Sequence, residues 1–169
     1  MGYLNDTDMS QFIPANDITK TAGTWTEGVT GNVYSAARTA GAATFELIIP
    51  VRIMANVQAA QGARLKSVDI WHKIATANLS NMSTVQMSKT TGRVHGSAVL
   101  GASVPVTLDS SHASSGNRSA QADHKMTISL NSPAWLLRDE CYVVYITCSA
   151  AATTVFTLYG AQANYELRL

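Results

Sequence analysis

The stretch TFELIIPVRI, residues 44–53, decides the fold class. Its odd positions, Phe45, Leu47, Ile49, Val51 and Ile53, are all apolar, while the even positions include Glu46, Pro50 and Arg52. Such period-2 alternation presents one face of a β-strand to a core and the other to solvent. Pro50 has no N–H for a ladder, so the strand must be at an edge there, be bulged, or pass between sheets. Working outward, the same pattern recurs in short runs bounded by Gly, Asn and Ser: 23–27, 32–38, 65–75, 84–89, 103–108, 125–130, 140–148 and 154–169. In the 125–130 run Met126, Ile128 and Leu130 alternate with Lys125, Thr127 and Ser129. In the last run Val155, Tyr159, Ala161, Ala163, Tyr165, Leu167 and Leu169 share one side, and Gln162, Asn164, Glu166 and Arg168 the other. The single helix candidate, residues 54–65, is short and interrupted by Gly62. These runs predict an all-β domain over residues 23–169, a two-sheet antiparallel sandwich of jelly-roll-like type. Residues 1–22 keep neither period and read as an extended N-terminal arm.

The segment ECYVVYITC, residues 140–148, is apolar on both faces, with Cys141, Val143 and Tyr145 on one and Tyr142, Val144, Ile146 and Cys148 on the other. A strand covered on two sides has a core behind it and something else in front. A second subunit is the expected cover, with Tyr142, Val144, Ile146 and the outward Trp71 as interface residues and a homotrimer as the assembly. Cys141 and Cys148 lie on opposite faces, roughly 23 Å apart along one strand, so they read as buried free thiols and not as a disulfide.

Composition narrows the function. The 169 residues carry 12 Lys+Arg against 11 Asp+Glu, a net charge of +1, and only 14% are charged. Phosphate binding needs a clustered positive field, and no basic run exists, so no nucleic-acid partner is expected. No apolar stretch reaches the 18 residues of a membrane helix, and the start MGYLNDTDMSQ has no secretory leader pattern. No GxSxG elbow, P-loop, dinucleotide fingerprint, HExxH or CxxC pair occurs, so neither catalytic residues, cofactor nor metal are expected. Glu27 with Glu46, or Asp139 with Glu140, do not announce the paired carboxylates of a glycosidase.

The longest polar segment, DSSHASSGNRSAQAD at 109–123, brings Asp109, His112, Asp123 and the adjacent His124 into range of metal or acid–base chemistry. Ser, Asp and His in loops more commonly bond their own backbone. As a recognition loop it would offer Asp109, His112, Asn117, Arg118 and Asp123. His72, on the face of Val68, Ile70 and Ile74, reads as a core imidazole satisfied by one hydrogen bond. Trp25 and Trp135 read as packing anchors, although Trp71 or Trp135 could also serve as a sugar-stacking platform.

The segments GTWTEG (23–28), SVDIWHKIATANL (67–79), VTLDSSH (106–112), DHKMTISLNSPAWLLRDECYVVYIT (123–147), AAATTVF (150–156) and YGAQANYELRL (159–169) together resemble small tailed-phage virion structural proteins found in environmental viral genomes. The resemblance implies a non-enzymatic head-decoration or minor-capsid protein, assembled in the host cytoplasm into the virion. Its partner would be the major capsid protein or another virion protein, bound through the arm residues Tyr3, Leu4, Phe12 and Ile13. The alternative is a receptor- or glycan-binding knob of a phage fibre or spike, with the 109–123 loop as its recognition surface.

Overall fold

The computed structural model describes residues 6–51, 53, 62–92, 100–137 and 140–168. Among them the strands are β1 (Asp6–Pro14), β2 (Thr19–Thr21), β3 (Trp25–Thr30), β4 (Val33–Arg38), β5 (Ala43–Val51), β6 (Ala63–Ala75), β7 (Leu79–Thr91), β8 (Leu100–Val104), β9 (Val106–Leu108), β10 (Asp123–Trp135), β11 (Glu140–Ala150) and β12 (Val155–Arg168), with one turn of α-helix, α1 (Ser115–Arg118), and two 3-10 turns, Ala15–Asp17 and Ser110–His112. They form a two-sheet antiparallel, jelly-roll-like sandwich. One sheet has seven strands in the order β3-β4-β12-β6-β10-β9, with β1 paired to the far half of β12; the other has five, β2-β5-β11-β7-β8. Of the helix candidate at 54–65, residues 54–61 lie outside the described residues, and Ala63–Leu65 are not helical but open β6.

The core follows the alternation. Phe45, Leu47, Ile49 and Val51 are buried, as are Val68, Ile70 and Ile74 on β6 and Met126, Ile128 and Leu130 on β10. Each large apolar side chain fully buried this way contributes about 1.5–3 kcal/mol, so the inward face sets the register of every central strand. Pro50 sits opposite Val143 of β11, while on its other side β2 pairs only with Glu46, Leu47 and Ile48. The missing N–H therefore faces an unpaired flank, an edge in all but name.

Three strands depart from the sequence expectation. The run 103–108 is two strands, since the chain breaks at Pro105 and crosses from the five-stranded sheet (β8) to the seven-stranded one (β9). In β12 the pairing with β6 shifts between Leu158 and Gly160. This bulge reverses the phase, so Phe156 and Leu158 face inward before it and Ala161, Ala163 and Tyr165 after it, leaving Val155 and Tyr159 outward and half-buried. The N-terminal segment is extended, but Asp6–Pro14 is laid antiparallel on β12 from Arg168 to Gly160. Its missing period has a physical cause: as a strand at the margin of the sheet it buries only Ile13, while Phe12 remains 55% exposed.

The expected subunit interface also moves. Tyr142, Val144 and Ile146 are fully buried inside the sandwich and cannot meet a second subunit. The outward set of β11 is Cys141, Val143 and Tyr145, with Cys141 exposed rather than buried. Two apolar faces on one central strand do not reveal which is the core side; the partner sheet decides. Of the arm residues, Ile13 belongs to the core and Phe12 packs on Trp71 at 6.1 Å, so neither hangs free for a capsid, and Tyr3 and Leu4 lie outside the described residues.

Candidate binding face on the seven-stranded sheet

The outward side chains of β1, β12, β6 and β10 share one surface. The pairing of β6 with β12 slips between Asn164 and Tyr165, and at this bulge Lys66 and Ser67 both point outward and are half-buried. The bulge thus places two polar groups where regular pleating would place one. Beside them Asp69, with only 9% of its side chain exposed, accepts from Thr127 Oγ1 at 2.7 Å and Asn164 Nδ2 at 3.2 Å and pairs with Lys125 at 3.1 Å. Asn164 Nδ2 also reaches Ser67 Oγ at 3.2 Å, and Gln162 Nε2 donates to Asn164 Oδ1 at 2.9 Å. A depression of about 390 Å³ lies here, lined by Asp8, Ser10, Lys66, Ser67, Gln162 and Asn164 with Met9 and Tyr165.

This polar floor ends at a tryptophan on each side. Trp71 is flanked by Phe12 and by the Lys125 ammonium, 5.5 Å from its ring centre. Trp135, paired with Arg64 in the β10–β6 ladder, is 39% exposed and contacts the guanidinium groups of Arg168 at 4.6 Å and Arg64 at 5.5 Å. It is therefore not the packing anchor expected from sequence; Trp25 is, half-buried against the core and edge-on to Phe45 at 5.6 Å. Seven positions of β6 separate Trp71 from the partner of Trp135, about 23 Å at 3.3 Å per residue.

Among the described residues, every cation on this face has a carboxylate. Arg64 and Lys66 meet Glu166, Lys66 also meets Asp8, Lys73 meets Asp123, Lys125 meets Asp69 and Arg168 meets Asp6. Hydrogen bonds from Arg64 and Lys66 hold the Glu166 carboxyl below its usual range, and Glu166 and Asp8 in turn raise Lys66. Five positive and five negative side chains leave the surface balanced, hydrogen-bonding and rigid, and without a net field to draw in a charged ligand.

The 109–123 loop is built differently from a recognition loop. Asp109, His112 and His124 do come together: His112 Nδ1 lies 2.8 Å from Asp109, and His112 Nε2 lies 3.1 Å from His124 Nδ1. Asp123 does not join them; it is exposed and faces Lys73 at 3.6 Å. The chain ends at the Ala120 carbonyl, 2.9 Å from His124 Nε2, and no hydroxyl or thiol belongs to it. Arg118 is buried and donates to the carbonyls of His112, Ala113 and Met82, each at 3.0 Å. Asp109, His112 and Arg118 are thus internal braces, and of the residues expected for recognition only Asn117 and Asp123 are exposed. No group of three metal-ligand side chains in holding geometry occurs among the described residues. Glu27 is engaged by Lys20 and Tyr34, and Glu46 accepts from Tyr145, so each carboxylate is held by its own partners.

The Arg118 brace carries a prediction. Arg118→Met should leave the three carbonyls short of their charged donor and cost about 2–3 kcal/mol. Amide exchange across 110–122 should then accelerate while the sheet amides stay protected. Unchanged exchange in the loop would contradict the bracing role.

No family model matches the chain, and no curated protein matches it. Two solved structures are similar at the level of the backbone trace. One is TmCBM61 in complex with beta-1,4-galactotriose, at 9% identity and a TM-score of 0.38, covering 96% of this chain and 88% of that one. The other is a family 11 carbohydrate-binding module from Clostridium thermocellum in complex with a beta-1,3-1,4-mixed-linked tetrasaccharide, at 10% identity and a TM-score of 0.37, covering 96% and 89%. At such scores no residue of either can be aligned onto the face described above.

Proposed function

We propose that the chain is a non-catalytic binding module for a neutral, extended glycan, held across the outer face of the seven-stranded sheet. The observation that carries this reading is the pre-ordered floor of Ser67, Asp69, Gln162 and Asn164 lying between Trp71 and Trp135. Sugar hydroxyls need fixed donors and acceptors, and sugar rings need flat apolar surfaces; this face offers both on rigid strands. The balanced ion pairs favour an uncharged ligand over an acidic one. A span of about 23 Å suits a chain of several sugar units better than a monosaccharide.

A panel of neutral and acidic polysaccharides, tested by array and then by calorimetry, examines this reading. A neutral saccharide is expected to bind, and Trp71→Ala and Asn164→Ala should each weaken it about tenfold or more, the equivalent of roughly 1.4 kcal/mol, with the thermal midpoint little changed for Trp71→Ala. Absence of any neutral ligand, or binding indifferent to both substitutions, would overturn it.

A second reading, attachment to a phage shell, is supported by a different feature. At the β3–β4 hairpin Val29 and Val33 are 68% and 49% exposed, and Val33 borders a depression of about 340 Å³ with Tyr159. An apolar tip of this kind suits a protein contact. Finding the chain in intact particles at a fixed ratio to the major shell protein, and losing it on Val33→Asp, would establish that role alongside or instead of glycan binding.

A further inference from the structure

The hydrogen-bond chain under the 109–123 loop has a proton count that its geometry fixes. Asp109 already accepts from Ser111 N at 3.0 Å and Thr127 N at 2.8 Å. Burial pushes its carboxyl upward, but these N–H groups and His112 together hold it below the usual range, so it is ionised. An ionised carboxylate can only accept, which places a proton on His112 Nδ1. A carbonyl can only accept, which places another on His124 Nε2 opposite Ala120 O. The two nitrogens left over, His112 Nε2 and His124 Nδ1, face each other at 3.1 Å. With both rings neutral, two lone pairs meet there. With both rings doubly protonated, two N–H groups and two positive charges meet. Only a single additional proton between them completes the chain.

We infer that His112 and His124 share one proton and act as a pH-operated latch that fastens the 109–122 loop to β10. The pair then carries one positive charge, balanced by Asp109. The other titratable or charged groups around it are few. His72 on β6 stacks on His124 at 4.8 Å, and burial first, then the other two histidines, drives its basicity down, so it stays neutral. Arg118 on α1 bonds the His112 carbonyl, and its fixed charge opposes a second proton on the pair. Cys148 on β11, near Arg118, is pushed up by burial to about 12 and remains a neutral thiol. From β12, the apolar Phe156 stacks on His72.

The latch closes when the shared proton is taken up and opens when it is lost. The loop carries exposed Asn117 and Gln121 at its tip, so its order would follow pH without any change in the sheets.

The test is a titration of the full-length 15N-labelled chain by NMR, reading the ring nitrogens and amide exchange from pH 8.5 to 5.5. His112 and His124 should take up one proton jointly, with His112 Nδ1 and His124 Nε2 protonated throughout. Protection of the 110–122 amides, corrected for intrinsic exchange, should rise by up to about tenfold per pH unit through the transition. Asp109→Asn should move that transition to lower pH, and His124→Phe, which keeps the stack on His72, should abolish the pH dependence. Independent titration of the two rings in the wild-type chain, or equal loop protection at pH 8 and pH 6, would overturn the proposal whether or not either variant folds.

Discussion

Replacing His72 with Phe is expected to stabilise the protein and to remove most of its sensitivity to mild acid. His72 is 1% exposed, stacked between His124 and Phe156 with centroid distances of 4.8 and 5.2 Å, and neither ring nitrogen has a hydrogen-bond partner. The sequence predicts one such bond, but among the described residues no polar group meets either nitrogen at the edge of the ring, while aromatic neighbours stack on its two faces. An unpaired buried polar group costs about 1–3 kcal/mol, and a phenyl ring of similar outline carries no such cost. Burial above all, with His124 and His112 adding to it, lowers the His72 pKa to about 3. A histidine depressed in the folded state takes up its proton more readily when unfolded, so it favours unfolding as pH falls below the unfolded value near 6.5. The penalty is about 2 kcal/mol at pH 5 and on the order of 4 kcal/mol by pH 3. At about 2–4 °C per kcal/mol for a chain of this size, the wild type should lose several degrees more than His72→Phe between pH 7.5 and pH 5. Asp109, with its lowered pKa, loses its contribution only as pH falls below about 3.8. The difference between the two melting series therefore isolates His72. Parallel acid slopes in wild type and variant would refute the assignment.

The second large effect is expected at Gly160. This residue holds φ of +143° at the β12 bulge, a region that a side chain strains, and a Cβ there would lie 2.6 Å from Phe12 Cζ and 2.7 Å from the Ile13 carbonyl oxygen. The phenyl tip can swing aside, but the backbone oxygen cannot move unless β1 lifts from β12. Gly160→Ala should accordingly cost about 3 kcal/mol or more, combining backbone strain of 1–3 kcal/mol with partial undocking of β1. A midpoint lowered by about 10 °C, with protease cleavage appearing near residues 6–14, is the expected result. Adding Phe12→Ala should recover only a small part of the loss, because the carbonyl contact persists. A Gly160→Ala chain that melts like the wild type would show that β1 is not seated as described.

Much of the architecture was legible along the chain because strand side chains alternate strictly. Phe45 to Val51 and Met126 to Leu130 need only their own neighbours to declare an inward face. The alternation fails as a guide wherever one extra residue enters. Beyond Gly160 the parity of β12 is read correctly, and before it the parity is reversed. The bulge at Lys66–Ser67 likewise gives no signal in a period-2 reading, although the glycine at 160 and two adjacent polar residues at 66–67 were the only local hints available. The candidate site was visible as single residues, Trp71 and Trp135, but not as a surface. Its members come from β1, β6, β10 and β12, and which of them share a face depends on those two bulges and on the register shift of β10 between Ser129 and Ala134.

The sequence by itself determined an all-β sandwich, most of its inward residues and a surface poor in charge, because pleat periodicity and composition are local properties. Only the tertiary structure decided which apolar face of β11 is the core, where residues 6–14 lie, that Arg118 and His112 are internal, and that two tryptophans border one polar floor. Those are consequences of strand order, register and bulge position, which are fixed by pairing between residues far apart in the chain.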